Sequence, residues 1–160
     1  MNTGLASPGV VTGKSVHLGG SLGRVKATGR GVFVIGCEAM RRLNMPIEGT
    51  RFAIQGFGNV GSTTSELFAK AGATIVAVQD SGGTTYNAQG LPIAEVAEHV
   101  QRHRTVGGFP GADSLDPEAF WDVPCEVIIP AALEGQITVA RAERLHARLV
   151  PGITGPRNLV

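Results

Sequence analysis

The stretch "FAIQGFGNVGS", residues 52–62, places Gly56, Gly58 and Gly61 in a GxGxxG spacing, directly behind an apolar run and ahead of a helix-forming segment. Each glycine answers a separate physical demand. Gly56 permits a tight turn, Gly58 lets backbone N–H groups approach a diphosphate, and Gly61 lets the helix lie close to the strand, with its N-terminus facing the anion. A dinucleotide is the ligand such a cradle implies; an empty structural turn is the alternative that any GxGxxG carries. Asp80 closes "IVAVQD" at the end of the next apolar run, where an acidic residue accepts hydrogen bonds from the adenosine ribose. Its charge would repel a 2′-phosphate and so favours NAD over NADP. A strand-end turn former is the competing role for it. In "IIPAALEGQIT", residues 128–138, Pro130, Ala131 and Ala132 are small enough to lie against a flat ligand, while Glu134 and Gln136 would either cap the next helix or bind.

The other reactive side chains form no constellation. His99 and His103 stand four residues apart on one helical segment, but no third ligand accompanies them, and His17 and His146 have no partners at useful spacing, so no metal site is expected. Cys37 and Cys125 lack any CxxC or Cys/His cluster, which fits core positions in a reducing compartment. Lys14, Ser21 and Thr28, in the glycine-rich "TGKSVHLGGSLGRVKATGRG", are polar candidates that generic chemistry does not single out.

Net charge is +1 with the basic residues dispersed, which gives no footprint for nucleic acid. No apolar run approaches the roughly 18 to 20 residues that span a bilayer, and the first residues lack a signal peptide's basic start and apolar block. These features predict a soluble, cytoplasmic protein without nucleic-acid or membrane partners. With 160 residues, 42% of them hydrophobic, one domain is expected.

Alternating strands and helices position the motifs. Val25, Thr28, Val32, Ile35, Ala39 and Leu43 recur at helical spacing and predict a long helix from Arg24 to Asn44, ended by Met45-Pro46. "RFAIQGF" reads as a buried strand, "NVGSTTSELFAKAG" as a helix stopped by Gly72, and "ATIVAVQD" as a central parallel strand. "SGGTTYNAQGL" looks like a hairpin turning at Asn87 to Gly90, "PIAEVAEHVQRHR" like a helix with Pro92 at an early position, and "TVGGFPGAD" like a loop. "DPEAFWDV" predicts a helical turn, "CEVIIPAAL" a third parallel strand, "TVARAERLHARL" a helix and "LVPGI" a fourth strand. The fold class is therefore α/β, a Rossmann-like doubly wound and mostly parallel sheet. Four parallel strands leave it incomplete against the roughly six of a full dinucleotide fold.

Five strings, "VVTGKSVHLGGSLGRVKATGRGVF", "AIQGFGNVGS", "VAVQDSGGTTYNAQGL", "GFPGAD" and "IIPAALEGQIT", together resemble the coenzyme-binding domain of glutamate dehydrogenases, within the Glu/Leu/Phe/Val dehydrogenase superfamily, over about residues 1–150. The resemblance implies NAD(P)-dependent oxidative deamination of L-glutamate to 2-oxoglutarate and ammonia, with NAD as cofactor and NADP as the alternative. It places Thr28 at the nicotinamide end. Gly56, Phe57, Gly58, Asn59, Val60 and Gly61 would surround the pyrophosphate and nearby ribose, Asp80 the adenosine ribose, and Ala131 and Ala132 would border the cofactor. It implies a homo-oligomer for the full-length family.

No catalytic residue is assigned, because the family's catalytic lysine and proton-shuttling aspartate belong to a substrate domain expected to lie outside this chain. Glutamate and 2-oxoglutarate would engage only where such a domain is supplied. The chain also departs from the family near its end: "VPGITGPRNLV" stands where a "VEGANGPT"-like segment would continue, with Pro151 and Thr154 in place of Glu and Asn. The expected organisation is an irregular lead-in over 1–22 and an NAD(P)-binding Rossmann-like domain over 23–160, truncated at both ends. Two functions follow from it, the coenzyme domain of an amino-acid oxidoreductase and a non-catalytic NAD-binding fragment or subunit.

Overall fold

In a computed structural model the described residues are 15–18, 20–21 and 23–152. Lys14, most of the 1–22 lead-in and Thr154 lie outside them. Helix α1 spans Arg24–Arg42, strand β1 Arg51–Gln55, helix α2 Asn59–Lys70 and strand β2 Thr74–Asp80. Strand β3 (Gly83–Tyr86), helix α3 (Ile93–His103) and strand β4 (Asp113–Leu115) follow, then strand β5 (Val127–Pro130) and the short helix α4 (Val139–Ala142). None of the described helices is long and apolar enough to cross a membrane.

The strands form one sheet in the order β4-β3-β2-β1-β5. β1 pairs in parallel with β2 on one side and β5 on the other, while β3 and β4 extend the β2 side antiparallel. β1, β2 and β5 are buried along almost their whole length, as expected of parallel strands covered on both faces. One face packs under α1, α2 and α3 around Phe52, Ile54, Phe68, Ile75 and Val96. The other is covered by irregular chain and a single 3-10 turn at Ala119–Asp122, which set Phe120, Trp121 and Val123 against Ala53, Val76 and Ile128.

Five sequence expectations are revised. The apolar stripe read along α1 is not its buried face, since Val25 and Ile35 are 66% and 68% exposed and the buried positions are Gly29, Val32, Gly36 and Met40. Close approach decides this. A Cβ on Gly29 would lie 2.7 Å from Thr63 Cβ, and one on Gly36 would lie 2.8 Å from the Phe68 ring, so glycines rather than large side chains face α2.

The hairpin turns at Ser81–Gly82, because Asp80 pairs directly with Gly83. The Asn87–Gly90 turn exists, with Gln89 N donating to Asn87 Oδ1 at 2.9 Å, but it leads into α3 rather than a strand. Asp113, read as the end of a loop, begins β4.

The helix expected over "TVARAERLHARL" shrinks to α4, capped by Thr138. Arg148 N and Leu149 N both donate to Glu126 O, at 2.9 and 3.2 Å, and this pulls the chain out of helical geometry toward β5. The fourth parallel strand is accordingly one bridge, Val127 to Leu149, beside three parallel strands.

Candidate functional site

Strand order reverses on either side of β1, so the carboxyl ends of β1 and β5 diverge, and open parallel sheets bind ligands in that crevice. A cleft of about 640 Å³ lies there, lined by Gly56, Phe57, Gly58, Asp80, Ala131 and Ala132 among others. Its floor is tied on both sides. Gly56 N donates to Gln79 O and Ala131 N to Gln55 O, each at 2.7 Å, which locks the ends of the three parallel strands together.

The three motif glycines differ in what requires them. Gly56 has φ +88°, and a Cβ on it would lie 2.6 Å from Ala131 O. A Cβ on Gly61 would stand 1.8 Å from Gly56 O, so α2 can sit this close to β1 only without a side chain there. Gly58 is different: it has extended backbone, φ −75°, and a Cβ would meet nothing within 4 Å. No contact within the described chain demands glycine at 58. Open space in front of a helix N-terminus is the geometry a close-lying anion uses.

The first turn of α2 has no side-chain cap. Ser62 N donates to Gly58 O at 3.0 Å, so the helical ladder begins there and the N–H groups of Asn59, Val60 and Gly61 lie ahead of it. Asn59 is exposed, Val60 packs half-buried against the core, and Gly61 is buried beneath the turn. Thr28 is exposed on α1 and does not line the cleft.

Asp80 stands half-buried at the end of β2, on the cleft's opposite side. Its Oδ1 accepts from Gly82 N at 2.8 Å, Gly83 N at 3.1 Å and Thr105 Oγ1 at 2.9 Å, and its Oδ2 accepts from Val106 N at 2.7 Å.

Sequence reasoning missed a row of glutamines under the cleft. Gln79 Nε2 donates to Pro117 O at 2.8 Å and to Thr84 Oγ1 at 2.9 Å. The carbonyl of Pro117 can only accept, so Gln79 turns its Oε1 toward Gln55, whose Nε2 then serves Gln79 Oε1 at 3.4 Å and Gln136 Oε1 at 3.0 Å. Gln55 Oε1 is left buried without a partner among the described residues. The sequence signal was a polar residue at the last inward position of each of two apolar strands. Gln136 was singled out for capping or binding, and it belongs to this row.

Arg141 was missed as well. Its guanidinium lies over the Trp121 ring, 4.9 Å from the centroid, pairs with Glu118 and donates to Gln136 O at 2.7 Å. The hydrogen bonds from Arg141 to Glu118 hold the Glu118 carboxyl below the usual carboxylate range. Cys125 is a core residue, its thiol pushed up to about 12 by burial first of all, and Cys37 is half-buried on α1. His99 and His103 stack with ring centroids 4.4 Å apart, away from the cleft. Among the described residues, no group of three or more His, Cys, Asp or Glu could hold a metal ion.

The family model for glutamate/leucine/phenylalanine/valine dehydrogenases matches residues 19–154. The chain is 41% identical to the glutamate dehydrogenase of Thermotoga maritima over 98% of its own length and 38% of that protein's. It is 42% identical to the NAD-specific glutamate dehydrogenase of Clostridioides difficile over 92% of this chain and 36% of that one. A crystal structure of the hetero-hexameric glutamate dehydrogenase of Thermus thermophilus in a Leu-bound form superposes with a TM-score of 0.85 at 34% identity, covering 98% of this chain and 38% of that one. The chain thus spans just over a third of the length of these relatives.

Proposed function

The chain belongs to the glutamate/leucine/phenylalanine/valine dehydrogenase family, and from that premise we propose that it is the dinucleotide-binding part of an enzyme that oxidatively deaminates L-glutamate to 2-oxoglutarate and ammonia. The observation that carries the reading is Gly58: glycine where no protein contact requires it, at the uncapped start of a helix, on the rim of the cleft. The residues present fit a dinucleotide. The amides of Asn59, Val60 and Gly61 would hold the pyrophosphate, with Phe57 beside it. Asp80 would stand at the adenosine ribose, its negative charge favouring NAD over NADP. Ala131 and Ala132 would border the cofactor, and Thr28 would reach it only from α1. NAD, when bound, supplies the hydride acceptor.

What this chain's residues do is bind and orient. The ionisable side chains lining the cleft, Asp80, Glu118 and Arg141, are all engaged with protein partners, so none is presented as a proton acceptor for a substrate amine. That favours a second reading, in which this chain binds NAD without turning glutamate over unless a substrate-binding part is supplied. Assembly into oligomers belongs to the same proposal; the Thermus thermophilus relative is hetero-hexameric.

Titration with NADH, followed by nicotinamide fluorescence, is expected to saturate, and a flat titration of folded protein would sink both readings. Adding glutamate and NAD then separates them, since absorbance growth at the reduced-nicotinamide band by this chain alone supports the first, and none supports the second.

A further inference from the structure

The acidic residue that the dinucleotide fingerprint marks for ribose recognition has most of its acceptor capacity committed elsewhere. A carboxylate offers about four lone-pair sites, and Asp80 receives four donors from two separate segments, the turn Ser81–Gly83 and the strap 105–107. Reading a ribose diol would need both oxygens free on one side. Here Oδ1 carries three donors and Oδ2 one, so Oδ1 has no lone pair left for a hydroxyl.

The surroundings are built for this clasp. A Cβ on Gly82 would lie 2.3 Å from Thr105 Oγ1, one on Gly83 would lie 2.9 Å from Gly107 Cα, and one on Gly107 would lie 2.9 Å from Gly82 O. The two backbones therefore touch through glycines, at a distance that lets one carboxylate reach amides on both. Within the strap Gly107 N donates to Thr105 Oγ1 at 3.0 Å, and from its far side Thr85 Oγ1 donates to Val106 O at 2.9 Å and His99 Nε2 lies 3.1 Å from Gly107 O.

We infer that Asp80 is a positioning residue, which fixes the turn Ser81–Gly83 against the strap and so sets the wall of the cleft's ribose end, rather than reading the ribose diol through both of its oxygens. The ribose end is then met by the turn itself, where Ser81 is exposed on the cleft. This inference rests on the dinucleotide reading for its ligand, and on the contacts of Asp80 with the turn and the strap for its geometry.

Thr105 makes the test clean, because it clasps Asp80 without lining the cleft. Thr105→Ala is expected to weaken NADH and NADPH binding together, by about threefold or more, and Thr105→Ser to restore it. Asp80→Asn is expected to abolish hydrogen-exchange protection at the Gly82, Gly83 and Val106 amides in the ligand-free chain. Unchanged or tighter NADH binding in Thr105→Ala overturns the inference. So does an Asp80→Asn variant that gains NADPH affinity while those amides stay protected. If the wild-type chain bound neither dinucleotide, the functional reading would fall, while the exchange of the three amides would still decide the clasp.

Discussion

Two turns at neighbouring strand ends, residues 56–61 after β1 and residues 80–83 after β2, are both glycine-rich and both face the same cleft. They spend their polar groups in opposite ways. The first leaves an uncapped helix start and open space at Gly58. The second folds its amides onto Asp80 and closes against the strap 105–107. A buried or half-buried backbone N–H needs a partner, and the source of that partner separates a wall, satisfied from within, from the proposed cradle, whose partner would come from a ligand. The composition of the two segments does not separate them; the position of their acceptors does.

The largest break in this comparison is expected at Gly61. Gly61→Ala drives a methyl group into Gly56 O and is expected to cost about 3 kcal/mol, the upper end of overpacking, in urea denaturation. The helix would be displaced and the cradle lost with it. Gly58→Val is the sharper variant. Its backbone is open to any residue, so stability should change by less than about 1 kcal/mol, the range of an unfavourable helix cap. NADH affinity should nonetheless fall at least about tenfold, or roughly 1.4 kcal/mol. Equal loss of stability in the two variants would mean that Gly58, like Gly61, serves the fold.

The smallest effect is expected behind the cradle, where Glu66 on α2 bridges Lys70 at 2.7 Å and Lys26 of α1 at 2.9 Å. Hydrogen bonds from Lys70 and then Lys26 lower its carboxyl to about 2. A depressed folded-state value stabilises above the unfolded value near 4.5 and is lost as pH falls through the interval toward 2. Because the Glu66 side chain is 37% exposed, solvent screening keeps the contribution below about 1 kcal/mol. Glu66→Gln should therefore be slightly less stable than wild type at pH 7, with the gap closing between about pH 4.5 and 2 in denaturation curves, and with NADH binding unaltered.

Much of the cradle was legible in the sequence because its determinants are local: Gly56, Gly58 and Gly61 share one turn, and a strand and a helix of recognisable period flank them. The closed turn was legible only as the turn-forming alternative for Asp80, which its bonds to Gly82 and Gly83 match, because Asp80 finds Thr105 and Val106 through a contact 25 and 26 residues along the chain. No local pattern reports that partnership, and a strand-end aspartate looks the same whether it reads a ribose or ties a loop. The face of α1 was misread for a related reason. Periodicity weights large apolar residues, whereas the helix contact selects the absence of side chains at Gly29 and Gly36. The glutamine row escaped notice because strand burial hides the polar identity of Gln55 and Gln79 until Pro117 and Gln136 are brought over them.

The contrast between an open cradle and a closed wall is tested most directly by backbone amide NMR of the chain as NADH is added. The largest shift changes are predicted at Gly58, Asn59, Val60 and Gly61, with saturable dependence on NADH, while Val106 N–H keeps the signature of its bond to Asp80 throughout. Saturable shifts confined to another surface, such as the groove between α2 and α3 at Ala69, Ile93 and Ala97, with the amides of residues 58–61 unmoved, would contradict it.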